Sequence, residues 1–437
     1  MTNYAHEGGD WLLADMTRRD VLMRAVAVLG VCALPTSLFA AHSDPDPVVP
    51  VQPGFGAAKS LILLYMAGGM SHLDTLDPKP GQAVQGPIAA IPSVVDGVQL
   101  GEHMVKLAQR MDRCALIRSL TSTQGAHEQG DYYLHTSYTA RGTTKHPTLG
   151  AWAAQSLPRL NPTLPPYVTI SGGSRQSGAG FLDAAYGPLP IGDPSRGLAN
   201  ISAPSGINVA REQHRRELLQ ALDGFGRAPA DAGAVKAYHQ LYSEAEKLMA
   251  SRDLAAFDIA AEPEAIRAMY GNDAFANGCL MARRLVEHGV RTVEVTLGGW
   301  DTHDDNETRV KERCSVLDRT LSALLDDLQA QGLLATTVVA LVSEFGRSPV
   351  INQHDGRDHH PKCFSALLAG GGVRGGRIHG ASDERGDSPA KDPVGIPDLN
   401  ATLAHALGCD LAKVTTSPDG RPFTVADKGK PIAGIFT

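Results

Sequence analysis

Paired cysteines are missing from this chain. Its six Cys include no C-x-x-C pair and no zinc-ribbon spacing, which excludes a dithiol redox motif and a small structural zinc site. The scattered set reads as buried free thiols without a disulfide framework, one bridge remaining open in an oxidising compartment. A basic face is missing too. The formal net charge is −7 and the isoelectric point about 6.1, which argues against nucleic acid as a partner. There is no internal repeat and no dinucleotide fingerprint, so a nicotinamide or flavin enzyme is set aside. What is present is ordinary globular material. The 437 residues, 43% hydrophobic and 20% charged, suffice for one large domain or two smaller ones.

The N-terminus has the shape of an export signal. Arg18 and Arg19 precede an apolar run and then small residues, "TRRDVLMRAVAVLGVCALPTSLFAA", the pattern of twin-arginine export. The run is too short and too weakly flanked for a stable membrane span. Residues 1–41 are therefore expected to be a removed signal and residues 42–57, "HSDPDPVVPVQPGFGA", a Pro-rich linker. The translocase becomes an expected partner, and the mature protein a periplasmic or secreted one. Residues 58–437 are expected to form a single domain.

Within that domain, apolar runs alternate with amphipathic segments. "SLILLYM", "CALIRSL", "YVTIS", "RTVEVTL", "TTVVALVSEFG" and "CFSALLAGGG" read as strands, the first buried on both faces. Helices are expected around "EQGDYYLHTSY", over 207–249, over "NGCLMARRLVEHGV", over the long stretch from Glu307, and over "DLNATLAHALG" with an Asp cap and a final Gly. The alternation implies a mostly parallel sheet covered on both faces, a three-layer α/β/α sandwich. In such sheets ligands sit beyond the carboxyl ends of the strands.

Polar clusters follow four strands. The first offers Asp74 and Asp77. The second offers Thr123, His127 and Asp131. The third, "GGWDTHDDN", offers Asp301, His303, Asp304 and Asp305. The fourth, "EFGRSP" then "HDGRDHHP", offers Glu344, Arg347, Arg357, Asp358, His359 and His360. Carboxylates mixed with imidazoles suit zinc, manganese or iron, and pure oxygen shells suit calcium or magnesium. Asp301, His303, Glu344 and at least one of His359 and His360 are expected to share a metal site. Arg347 and Arg357 are candidates to clamp an anion. Bland readings stand beside these. Asp74 and Asp77 also suit a turn at Pro78, Asp304 and Asp305 also suit helix capping, and His127 also suits a buried hydrogen-bonded histidine.

Six stretches in order then resemble a known family: "LILLYMAGGMSHLDTLDPKP", "RSLTSTQGAHEQGDYYLHTSY", "HPTLGAWAAQSL", "GCLMARRLVEHGVRTVEVTLGGWDTH", "LVSEFGRSPVINQHDGRDHHP" and "LLAGGGVRGGRIHGASDERG". They are similar to the exported bacterial family labelled domain of unknown function 1501, over nearly all of residues 58–437. That family is similar in fold to the sulfatase and alkaline phosphatase superfamily. The resemblance implies an alkaline-phosphatase-like α/β fold and metal-dependent hydrolysis of phosphate or sulfate esters. It implies that Asp301 and His303 are a metal pair, that Glu344 holds the place of a superfamily Asp, and that His359 or His360 supplies a further ligand. Asp74 follows the first strand late, after Gly68 and Gly69, where the superfamily has a ligating Asp. Thr123 stands in the nucleophile region, and no Cys does, so a formylglycine sulfatase is not expected. Phe345 replaces the His of the superfamily Asp-His pair.

The function expected is an exported hydrolase using one divalent ion (zinc, manganese or calcium). It would act on a small anionic ester or a sulfated or phosphorylated glycan, with His127 or Thr123 and the two arginines in the chemistry. The alternative is a non-catalytic binding protein on the same fold.

Overall fold

A computed structural model describes residues 52–142, 144–172, 178–199, 209–223 and 232–437. The export signal and most of the expected linker lie outside these residues. Pro53 and Gly56, within the linker stretch, hydrogen-bond to His405.

The organising element is a nine-stranded sheet. Its strands, in chain order, are β1 (Ser60–Met66), β2 (Cys114–Thr121), β3 (Tyr167–Ile170), β4 (Leu189–Ile191), β5 (Thr292–Leu297), β6 (Thr337–Val342), β7 (Phe364–Ala369), β8 (Arg377–His379) and β9 (Val394–Gly395). Across the sheet they run β8-β2-β7-β6-β1-β5-β3-β4, with β9 also on β2. Only β7 is antiparallel to its neighbours among these pairings. The rest pair in parallel, as with Leu61 opposite Thr292 and Ser60 opposite Thr337.

Side-chain alternation explains why β1 is apolar at every position. Ile62, Leu64 and Met66 enter one buried cluster, and Leu61, Leu63 and Tyr65 enter another, because successive strand residues face opposite ways. Val339 and Leu341 of β6 join the first cluster, and Val338, Ala340 and Val342 the second. Helices close both faces. Those at Ala274–Glu287 and Asn306–Ala330 bury Leu280, Leu285, Leu317 and Leu321 in the first cluster. Those at Leu149–Ser156 and Ile396–Leu407 bury Trp152, Leu399 and Leu403 in the second. The three-layer α/β/α sandwich is therefore present. The helical stretch at 207–249 contains two helices, Val209–Asp223 and Ala232–Met249. The helix at Leu149–Ser156 had no sequence signal strong enough to single it out.

Two capping expectations need correction. Asp398 lies inside the terminal helix at its third position, with Gly395 as the cap and Gly395 N donating to Asp398 Oδ2 at 3.0 Å. Asp305 borders the long helix without a side-chain cap bond, its backbone left-handed at φ 45°. Asp304 instead accepts from Arg309. Cys114, Cys279, Cys314, Cys363 and Cys409 are all buried and free. No helix among the described residues is long and apolar enough to cross a membrane.

Candidate metal centre

The carboxyl ends of β1, β2, β5 and β6 bring the polar loops together. Gly68 follows β1 with φ +119°, and a Cβ there would lie 2.5 Å from Asp301 N. Glycine lets the β1 loop touch the β5 loop directly. Its amide also donates to Glu344 Oε1 at 2.9 Å. The question those glycines raise in the sequence is thus answered by a close backbone approach and a held carboxylate.

Three histidines surround the Asp301 carboxylate. His127, first residue of the helix His127–Thr136, has Nε2 3.3 Å from Asp301 Oδ2. His303 Nε2 and His359 Nε2 lie 3.2 Å and 3.4 Å from Asp301 Oδ1, and 3.0 Å from each other. Each ring is oriented by its other nitrogen. His127 Nδ1 lies 2.8 Å from Glu344 Oε1, His303 Nδ1 2.8 Å from Asp358 Oδ1, and His359 Nδ1 2.8 Å from Gly125 O. Such outer acceptors fix the tautomer and turn Nε2 inward, as they do behind metal-ligating histidines. Phe345 packs 4.5 Å from the His359 ring and 5.1 Å from His127. Phe345 therefore serves as the wall behind two imidazoles.

His127 Nε2 is buried and has no aligned hydrogen-bond partner. Ligand atoms of His127, Asp301 and His359 all lie within 4.8 Å of one another. Two imidazole nitrogens, one of them without an aligned partner among the described residues, and a carboxylate oxygen fit a divalent ion, with His303 adjoining. Electrostatics agree. Partial burial pushes the Asp301 carboxyl up, but the Arg347 guanidinium more than offsets this and brings it to about 2. Burial lowers His359, helped by Arg347, so its neutral ligating form is favoured. His127 is raised, chiefly by its bond to Glu344.

Beside the cluster opens a cleft of about 450 Å³, lined by Tyr65, His127, Asp131, Thr296, Asp301 and Glu344 among others, with no lysine or arginine among the described residues of its lining. The two arginines expected to clamp an anion are elsewhere. Arg347 is fully buried. It donates to Gly69 O at 2.9 Å, to Arg357 O at 2.9 Å and to Asp301 Oδ1 at 2.5 Å. Arg357 is fully buried and paired with Asp74 at 2.8 Å, its other donors on Ser348, Pro349 and Val84 carbonyls. Neither is among the residues lining the cleft.

Asp74 is likewise buried, accepting from Ser71, Asn306 and Arg357, so it stands in a closed structural network apart from the metal group. Asp77 pairs with Lys79 and Arg118. Thr123 is exposed beside Gln124 and is not in the metal group. His359 and His360 are neighbours on a short strand paired with Gly346–Arg347. Alternation sends His360 away, to Asp387 O at 2.7 Å. Glu344 is brought in, but behind His127. Of the outer acceptors, Asp358 is among the residues the fourth loop offers, though without this role, and Gly125 O is not. Asp358 had a faint signal, its place directly before the two histidines.

The family described as "Protein of unknown function (DUF1501)" matches residues 58–436, and the chain belongs to it. No curated protein matches. Among solved structures the chain is similar to the lipoteichoic acid synthase LtaP of Listeria monocytogenes, at 11% identity and TM-score 0.39 over 85% of this chain and 76% of that one. It is similar to the PsFucS1 sulfatase of Pseudoalteromonas sp., at 12% and 0.42 over 87% and 73%. It is also similar to a mutant of the alkaline phosphatase PafA, at 10% and 0.39 over 88% and 99%. At those scores the likeness carries no functional weight, and the site stands on its own geometry.

Proposed function

We propose that this DUF1501 member is an exported, metal-dependent hydrolase of phosphate or sulfate esters. Its single ion would be held by His127, Asp301 and His359, with His303 beside them. One observation carries the reading. Three imidazoles, each fixed through Nδ1, turn Nε2 toward one carboxylate at the mouth of an open cleft.

The nitrogen donors favour zinc, then manganese, over calcium, which prefers oxygen shells. A divalent ion there supplies a Lewis acid for a non-bridging oxygen of the ester. The chain's own residues do the rest. Glu344 and Asp358 hold His127 and His303 in the inward-facing tautomer. Arg347 keeps Asp301 ionised and fixed. Thr296 Oγ1, in the cleft wall, is buried without a partner among the described residues and is placed to hydrogen-bond a substrate. The route we propose for the ester is attack by water. The sequence supports export through Arg18 and Arg19 and a folded passage through the twin-arginine translocase. A sulfated or phosphorylated glycan, or a smaller anionic ester, fits the cleft's size.

The alternative is a binding protein on this fold. The described residues of the cleft lining include no lysine or arginine, which favours it, because they offer an anion no cationic side chain for countercharge. Elemental analysis of the folded exported protein, beside Asp301→Ala and His359→Ala, tests the first reading. Roughly one ion per chain, lost in both variants, with turnover of an aryl phosphate or sulfate, supports it. A protein that never retains metal overturns it.

A further inference from the structure

The helix that begins at His127 carries Asp131 one turn later, and Asp131 lines the same cleft. Four residues advance a helix by about 6 Å, which leaves room for an ester group between the two side chains. Behind Asp131 a polar line runs into the core. Asp131 Oδ1 lies 2.9 Å from His135 Nδ1, which also lies 2.8 Å from the Asp131 carbonyl oxygen, and His135 Nε2 lies 3.3 Å from Glu294 Oε1. The Tyr167 hydroxyl donates to Glu294 Oε2 at 3.3 Å. His135 and Glu294 are 3% and 1% exposed, and Asp131 is 13%. Burial pushes His135 down, but Glu294 and Asp131 together hold it well above the usual range. The trio is thus an imidazolium between two carboxylates, with one carboxylate at the cleft.

Core stability does not call for such a trio. Buried ion groups are no more stabilising than well-packed apolar residues of the same volume. The other cleft carboxylates are committed elsewhere: Glu344 to Gly68 and His127, and Asp301 to Arg347 and the metal group. The groups facing Asp131 are His127 and His135 on its own helix, Tyr65 on β1, Glu294 on β5 and Glu344 on β6.

We propose that Asp131 is the general base for the attacking water, with His135 and Glu294 as positioning residues that keep it ionised and aimed. The step rests on the ester-hydrolase reading above. As the water oxygen bonds to sulfur or phosphorus, one water proton passes to the Asp131 carboxylate. The bond to the alcohol oxygen breaks, and that oxygen takes a proton from solvent. Asp131 then returns its proton to solvent.

The test uses the metal-loaded mature chain and two readouts. Asp131→Asn should lower kcat by roughly 10²- to 10⁴-fold, with metal content unchanged. The same variant should bind inorganic sulfate more tightly by calorimetry, about tenfold, because a charge facing the anion is gone. Asp131→Ala should be partly rescued by formate, and Glu294→Gln should lower kcat without losing metal. A merely structural trio would give no tighter sulfate and no rescue. Retained kcat in a folded Asp131→Asn overturns the assignment and leaves the ester reading standing. No metal-dependent turnover and no sulfate binding in the wild-type chain overturns both.

Discussion

Two polar regions lie side by side at the carboxyl edge of the sheet, built from the same residue types. In one, Asp74 and Arg357 are fully buried and every donor has an acceptor. In the other, Asp301 is 46% exposed in its side chain, three imidazole nitrogens turn toward it, and one of them has no aligned partner. A closed network holds loops together. An open one with spare lone pairs has capacity for a ligand. Residue type does not distinguish them; unsatisfied, preorganised valence does.

The sharpest way to break that comparison is to remove one partner from each region. Asp74→Ala should destabilise the fold by about 3–5 kcal/mol in denaturant melts, because it strands a buried guanidinium. Asp301→Ala should abolish metal retention and lower the melt by less, because the buried Arg347 loses that carboxylate but keeps the Gly68, Gly69 and Arg357 carbonyls. If the two variants behave alike, the division between closed and open networks is mistaken. A smaller effect is expected one layer out. Glu344→Gln frees the His127 ring and should weaken metal affinity roughly 10- to 100-fold, read by competition with a chelator.

Protons provide a further separation. His127 is raised above 6.5 by Glu344. In the metal-free protein its ion pairs therefore stabilise fully below about pH 6.5 and fade as pH rises through the raised value. Metal competes with that proton, so affinity should climb across the same window, and a flat profile would remove His127 from the ligand set. His72 behaves oppositely. Burial depresses it to about 4, and its ring rests on Gly386 O. The unfolded chain takes up the proton first, so stability should fall as pH drops from about 6.5 to 4, by on the order of 3 kcal/mol. His72→Gln should flatten that slope. The smallest change expected is at Asp305, whose side chain makes no cap bond. Asp305→Ala should stay within about 0.5 kcal/mol.

Much of the fold was legible because its signals are local. β1, β5 and β6 announce themselves as unbroken apolar runs, and such runs mean strands covered on both faces. The rule that ligands gather beyond strand ends selected the loops that the fold brings together. It selected Asp301, His303 and His359, and it equally selected Asp74, Arg347 and Arg357, which closed on one another or on backbone carbonyls. Nothing in "EFGRSP" tells whether Arg347 faces solvent or lies under Gly68 and Gly69. Helix capping at Asp305 failed for a similar reason. The helix start is anchored through Asn306, which reaches Thr302 and Asp74, a contact across the fold.

The amino-acid sequence by itself determined the layered α/β architecture, the strands and the four loops from which the site is drawn. Hydrophobic periodicity and burial on both sheet faces act over a few residues and need no knowledge of partners. Only the tertiary structure decided the strand order, the antiparallel placement of β7, which of two adjacent histidines turns inward, and which charges are left open to a ligand. Those outcomes depend on which loop lies against which, and on whether each buried donor finds an acceptor there.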